Sequence, residues 1–90
     1  MDKKKVFEIL KKDGHENIVL IEKEANYFLY KHSHNFIVDI IVITGTFKIE
    51  LSNSNTILFP GSRLKLNIGE VHSGKAGNEG VSFLSTKPSV

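Results

Sequence analysis

Apolar residues recur along the chain with two different periods. Between residues 2 and 12, Val6, Ile9 and Leu10 fall on one helical face among lysines. Asp2 is placed to cap this helix, Lys11 and Lys12 suit its last turn, and Gly14 supplies a left-handed stop. From residue 17 the period becomes two, the repeat of a half-buried strand. Residues 17–22 are rich in β-branched side chains. Over 27–34, Phe28, Tyr30, His32 and His34 face one way, and Leu29, Lys31 and Ser33 the other. Residues 38–43 are apolar on both faces apart from Asp39, and 46–51 alternate Phe47, Ile49 and Leu51 with Thr46, Lys48 and Glu50. Asn53-Ser54-Asn55 signals a hairpin turn, 56–59 is a short strand closed by Pro60-Gly61, and 62–68 sets Leu64, Leu66 and Ile68 against Arg63, Lys65 and Asn67. Gly69, Gly74, Gly77 and Gly80 read as loop glycines before a last strand at 81–85. About seven short strands at regular spacing predict an all-β sandwich or barrel, with the helix packed on its outside.

The strand at 38–43 needs cover on both faces. With Val38, Ile40 and Val42 assigned outward, either the helix lies over them or a second subunit does. The expectation is a homodimer with this strand near the interface, and burial by the helix is the alternative. A chain of 90 residues and 10.1 kDa without cysteine has a thin core, which favours such an association.

Composition narrows the function classes. Twelve basic against ten acidic residues leave a net charge of +2, with Lys3, Lys4, Lys5, Lys11 and Lys12 gathered on the helix. A basic helix surface of this kind is usually a solvated face, which argues against nucleic-acid binding. No apolar run is long enough to span a membrane, and the basic N-terminus is not followed by the apolar region of a secretory signal. The absence of cysteine excludes disulfides, thiolate metal sites and cysteine nucleophiles, and accords with a cytoplasmic protein. Ser33, Ser62 and Ser73 lie near histidines, but none has the Gly-x-Ser-x-Gly setting of a nucleophile elbow. The glycines at 74, 77 and 80 lack the following helix that phosphate binding uses.

The chemistry lies in the histidines and one acid. His15 follows Gly14 in a turn and is expected at the surface. His32 and His34 stand two apart on one strand, so both enter the same space. Asp39 is the single acid in a strongly apolar strand, where an ionised carboxylate needs a partner or a metal. His72 sits in a Gly-Glu-Val-His-Ser-Gly turn. Three imidazoles and a carboxylate converging in a barrel would hold a divalent transition metal: iron, manganese, nickel, copper or zinc.

Taken with their spacings, these residues resemble the cupin superfamily. His32-Ser33-His34, four residues, Asp39, five residues, Gly45 resembles its first motif, and Gly61, seven residues, Gly69, two residues, His72 its second. The departures are Asp39 where the motif has Glu, one residue fewer before Gly45, Asn67 in place of Pro, and Ala76 in place of Asn. The resemblance spans about residues 27–85. It implies one small jelly-roll (cupin) β-barrel domain over 1–90, with the helix at about 2–12 and the barrel at about 16–87. It further implies a metal on His32, His34, Asp39 and His72 in the barrel mouth, and a protein that is commonly dimeric.

Side chains assigned to the same faces, Phe28, Tyr30, Ile41, Ile43, Phe47, Ile49 and Phe83, would then line a small apolar pocket for a small-molecule ligand or substrate, with Glu70 and Ser73 at its rim. Arg63 and Lys65 alternate outward, which argues against a phosphorylated substrate. An apolar pocket around an open metal suits a dioxygenase-like reaction on a small organic molecule. The alternatives are a non-enzymatic module that binds or senses a small ligand or a metal, and a metal-free structural homodimer in which Asp39 orients an imidazole. The fold does not choose among them.

Overall fold

Helix α1 (Lys3–Lys12) forms as its sequence predicts. The Asp2 carboxylate accepts a hydrogen bond from the Lys4 amide at 2.9 Å, and Val6 and Leu10 are fully buried beneath the helix. The computed structural model describes residues 1–88, and Gly14 there adopts the left-handed conformation that ends the helix.

Six strands follow: β1 (Asn17–Lys23), β2 (Phe28–His32), β3 (Val38–Leu51), β4 (Asn55–Leu58), β5 (Arg63–Leu66) and β6 (His72–Lys87). Two differences from the expected pattern matter. Residues 38–43 and 46–51 belong to one 14-residue strand, and the last strand begins at His72, so Gly74, Gly77 and Gly80 lie within β6 and not in a loop.

The long pair β3·β6 is the spine of an antiparallel sheet. Near one end β1 flanks β6 and β5 flanks β3, giving the order β1-β6-β3-β5. Near the other, β2 flanks β6 and β4 flanks β3, giving β2-β6-β3-β4. These two four-stranded halves share bent central strands, which is the jelly-roll arrangement, and the sheet does not close.

The bend has a physical cause. The β3·β6 register shifts between Val42 and Thr44 and again between Gly45 and Phe47. Gly45 has φ +72°, and a Cβ there would collide with the Gly80 carbonyl on β6. A bulge at this corner also changes which side chains face inward. Before it Val38, Ile40 and Val42 enter the interior; after it Phe47 and Ile49 do.

Ile41 and Ile43 therefore face out, where they pack with Leu84 against Val6 and Leu10 of α1. Both faces of the apolar strand are covered within the chain. The face assigned outward is the inner one, the helix covers its opposite, and this strand carries no argument for a second subunit.

Candidate metal centre

A second bulge builds the site. The β2·β6 ladder pairs Leu29 with Gly74 but His32 with His72, a shift of one residue between them. Tyr27 and Leu29 point inward before it, and His32 and His34 after it. His32 thus stands directly opposite His72, the first residue of β6. The turn before β6 is tied to the first motif by a 2.8 Å hydrogen bond from the Gly69 amide to the His34 carbonyl. Gly69 reaches this position at φ +75°, which a glycine adopts without cost.

The result is a cluster of His32, His34 and His72, whose ligating nitrogens all lie within 4.8 Å of one another. Ring centroids are 4.2 Å apart for His32 and His72, 4.9 Å for His32 and His34, and 5.3 Å for His34 and His72.

Two of the tautomers follow from the hydrogen bonds. His32 Nδ1 lies 2.8 Å from the Tyr30 carbonyl, and His72 Nδ1 lies 2.9 Å from the Glu70 carbonyl. A carbonyl only accepts, so each Nδ1 carries the proton and each neutral ring presents its Nε2 lone pair. This is the backbone support that metal-binding histidines commonly have. The His34 pKa lies below its usual value, first because burial disfavours the cation and then because His32 and His72 are close. The two hydrogen bonds orient the His32 and His72 rings with Nε2 free, and burial favours the neutral form of His34.

The residues fit a metal. Three nitrogens bonded at about 2.1 Å would lie roughly 3.0–3.4 Å apart, and small ring rotations bring these rings to that separation. Nitrogen donors suit the first-row divalent transition metals.

Asp39 does not join the cluster. On the strand between Val38 and Ile40, it faces the helix side and is fully buried. Arg63 donates to it twice, Nε to Oδ1 at 2.9 Å and Nη2 to Oδ2 at 2.7 Å. His15 Nε2 lies 3.1 Å from Oδ2, and Asp13 meets the same Arg63 Nη2 at 2.6 Å. Burial alone would raise the Asp39 pKa, but the hydrogen bonds and charge of Arg63, helped by His15, hold it below the usual value. The acid that looked like a fourth ligand is instead the anchor of an ion-pair network between α1 and the sheet. His15, expected at the surface, is half-buried within that network.

The histidines open into an apolar cavity of about 230 Å³. Of the expected lining residues, Phe47, Ile49 and Phe83 are there. Phe28, Tyr30, Ile41 and Ile43 are not. The β2 bulge turns Phe28 and Tyr30 outward, where their rings meet edge to face at 4.8 Å and Tyr30 is 77% exposed. The β3 bulge sends Ile41 and Ile43 under the helix.

Alternation missed Tyr27, Leu29, Phe36, Val38, Ile40 and Leu66, all of which line the cavity. Leu66 has the inward parity expected of it and was left out only as a lining residue; each of the others has the parity opposite to the one assumed, or lies in a connection. Glu70 and Ser73 do not line it; the Glu70 carboxylate accepts from the Asn67 amide within its turn. Arg63 is outside as expected, but Lys23 and Lys87 line the cavity and went unnoticed as site residues.

No protein-family model and no curated relative matches the sequence. Solved structures do match the fold. The structure of KdgF from Halomonas sp. aligns over 80% of this chain and 68% of its own, at 20% identity and a TM-score of 0.66. A cupin-2 domain protein from Shewanella frigidimarina aligns over 92% of both chains, at 18% identity and a TM-score of 0.70. A structure of the DMSP lyases RdDddP and RnDddQII aligns over 76% of this chain and 35% of that one, at 16% identity and a TM-score of 0.71. The chain spans about two thirds or less of the length of several such proteins, 65% of an RmlC-like cupin among them. The chain has the cupin jelly-roll fold. Its histidine cluster lines the interior cavity of that fold.

Proposed function

We propose that this protein is a small metal-binding cupin that holds one divalent transition metal on His32, His34 and His72 and works on a small organic molecule in the adjoining cavity. One observation carries the reading: three imidazoles converge within 4.8 Å, and two of them are locked by backbone carbonyls in the tautomer that offers Nε2. The cupin fold of KdgF and of the DMSP lyases supports it. The metal would supply Lewis acidity and, as iron or copper, oxygen chemistry of the dioxygenase kind. The chain supplies the rest. The imidazoles hold the ion, Phe47, Phe83 and Ile49 exclude water, and Tyr27 forms part of the wall.

Elemental analysis of untagged protein tests the reading. About one equivalent of iron, manganese, nickel, copper or zinc is expected, and His72→Ala should lose it. Full metal retention by both His32→Ala and His72→Ala would sink the assignment. Oxygen uptake with iron or copper bound separates an oxygenase from a redox-neutral enzyme.

A binding or sensing module is the second reading. Apart from the histidines, the titratable groups that line the cavity among the described residues are Lys23, Tyr27 and Lys87, and none is a carboxylate base. Turnover of any bound metabolite would overturn that version.

A further inference from the structure

The charge of the cavity is one-sided. Lys23 and Lys87 line it, at opposite ends of the β1·β6 ladder, and among the described residues no Asp or Glu does. The Lys23 ammonium lies 4.5 Å from the centre of the Tyr27 ring, also a lining residue, and this contact holds the cation at the wall. Asp39, the acid expected beside the histidines, is on the other face of β3 and engaged with Arg63. Most of the remaining wall is hydrocarbon, including Val38, Ile40, Ile49 and Phe83.

An ion held only by neutral imidazoles keeps its whole double positive charge. In an apolar cavity such charge is costly unless an anion enters with it. A carboxylate ligand from the protein would supply part of that compensation, and this cluster has none.

We infer that the site selects small organic anions: short carboxylates whose charged end answers the metal, favoured by the positive field of the lysines along the wall, and whose hydrocarbon body lies on the apolar lining. This rests on the metal site proposed above and adds the chemical class of its ligand. A neutral molecule of the same shape meets the metal and the lysines only through its dipole, a weaker attraction than that of a full negative charge.

The experiment compares butyrate with butyramide, which share a shape and differ in charge. Untagged protein is loaded with cobalt(II), its metal content is measured, and binding is followed by calorimetry and by the visible absorption of the cobalt. Butyrate should bind and shift the cobalt bands, and butyramide should bind at least about tenfold more weakly. From acetate to propionate to butyrate, affinity should rise about fourfold per methylene as the apolar wall is covered.

The double variant Lys23→Met/Lys87→Met should weaken butyrate about tenfold and leave butyramide unchanged, while Lys23→Arg/Lys87→Arg should restore butyrate binding. These side chains are not core residues, so both variants are expected to fold. Equal affinity for acid and amide would overturn the inference. So would cobalt bound at one equivalent with no response to any of the acids, and that result would leave the metal site standing. Failure to bind cobalt at all would overturn the metal site, and the inference with it.

Discussion

Asp39 shows how one side chain can be read correctly for its need and wrongly for its partner. An acid among isoleucines and valines requires compensation, and a metal and an arginine both provide it. The bidentate Arg63 pair, with His15 and Asp13 beside it, is what the fold supplies. Asp39→Asn should therefore leave metal content unchanged, whereas a ligand would lose metal on the same substitution. It should cost about 2–3 kcal/mol of stability in urea unfolding, less than a fully buried pair because Arg63 is partly exposed to water.

The pH dependence follows with a definite sign. Above the ordinary value of 3.8 the carboxylate is ionised in both folded and unfolded chains, and the pair contributes in full. Below it the unfolded chain takes up the proton first, and stability falls until the folded carboxyl is also protonated. Unfolding curves below about pH 4 should be steeper in pH for the parent protein than for Asp39→Asn. Equal slopes would show that Asp39 contributes nothing to acid sensitivity.

At the scale of elements, two bulges decide which residues meet. The β2 shift brings His32 opposite His72, and the β3 shift hands Ile41 and Ile43 to the helix. Gly45 sits in the β3 corner, close against Gly80. Gly45→Ala should destabilise the protein strongly, by about 3 kcal/mol or more, since it adds both positive-φ strain and a backbone collision. Thermal unfolding measures this, and a change under 1 kcal/mol would mean that the corner relaxes freely.

The helix is held at a second point by its buried face. Leu10→Ala should cost about 2–5 kcal/mol through the cavity it leaves against Ile41 and Leu84. Because α1 packs on the outer face, this variant should lose stability while its metal content stays at the parent level. Loss of metal in parallel with stability would show that the helix supports the site as well.

For the whole molecule, the three imidazoles come from two stretches of chain nearly forty residues apart, so a bound metal would link β2 to β6. A ligand that binds the folded state at a hundred times its Kd adds about 2.7 kcal/mol. For a domain of this size that corresponds to a rise in Tm of roughly 10–20 °C. Zinc or cobalt should produce it in the parent protein and not in His72→Ala. An equal rise in both would place the metal elsewhere.

How much of this was legible follows from what is local and what is not. Capping, helical spacing, the change to period two and the turn signals are properties of neighbouring residues. They gave α1, most of the strands and the all-β class. The order His32, His34, Asp39, His72 with its flanking glycines likewise resembles the motifs of a metal-binding cupin. The face of each side chain was a different matter. Alternation fixes parity only within an unbroken ladder, and a bulge depends on the partner strand. Gly45 was visible as a motif glycine, but its collision with Gly80 across the sheet was not. For the same reason the acid in the apolar half of β3 could be seen to need a cation, while the identity of that cation waited on β5 lying beside it. The sequence by itself determined the class of fold and the helix, because these rest on local spacing, and its resemblance to the two cupin motifs picked out the three histidines. The tertiary structure alone decided the inward faces, the pairing of Asp39 with Arg63 and the cationic character of the cavity, because those depend on register between strands far apart in the chain.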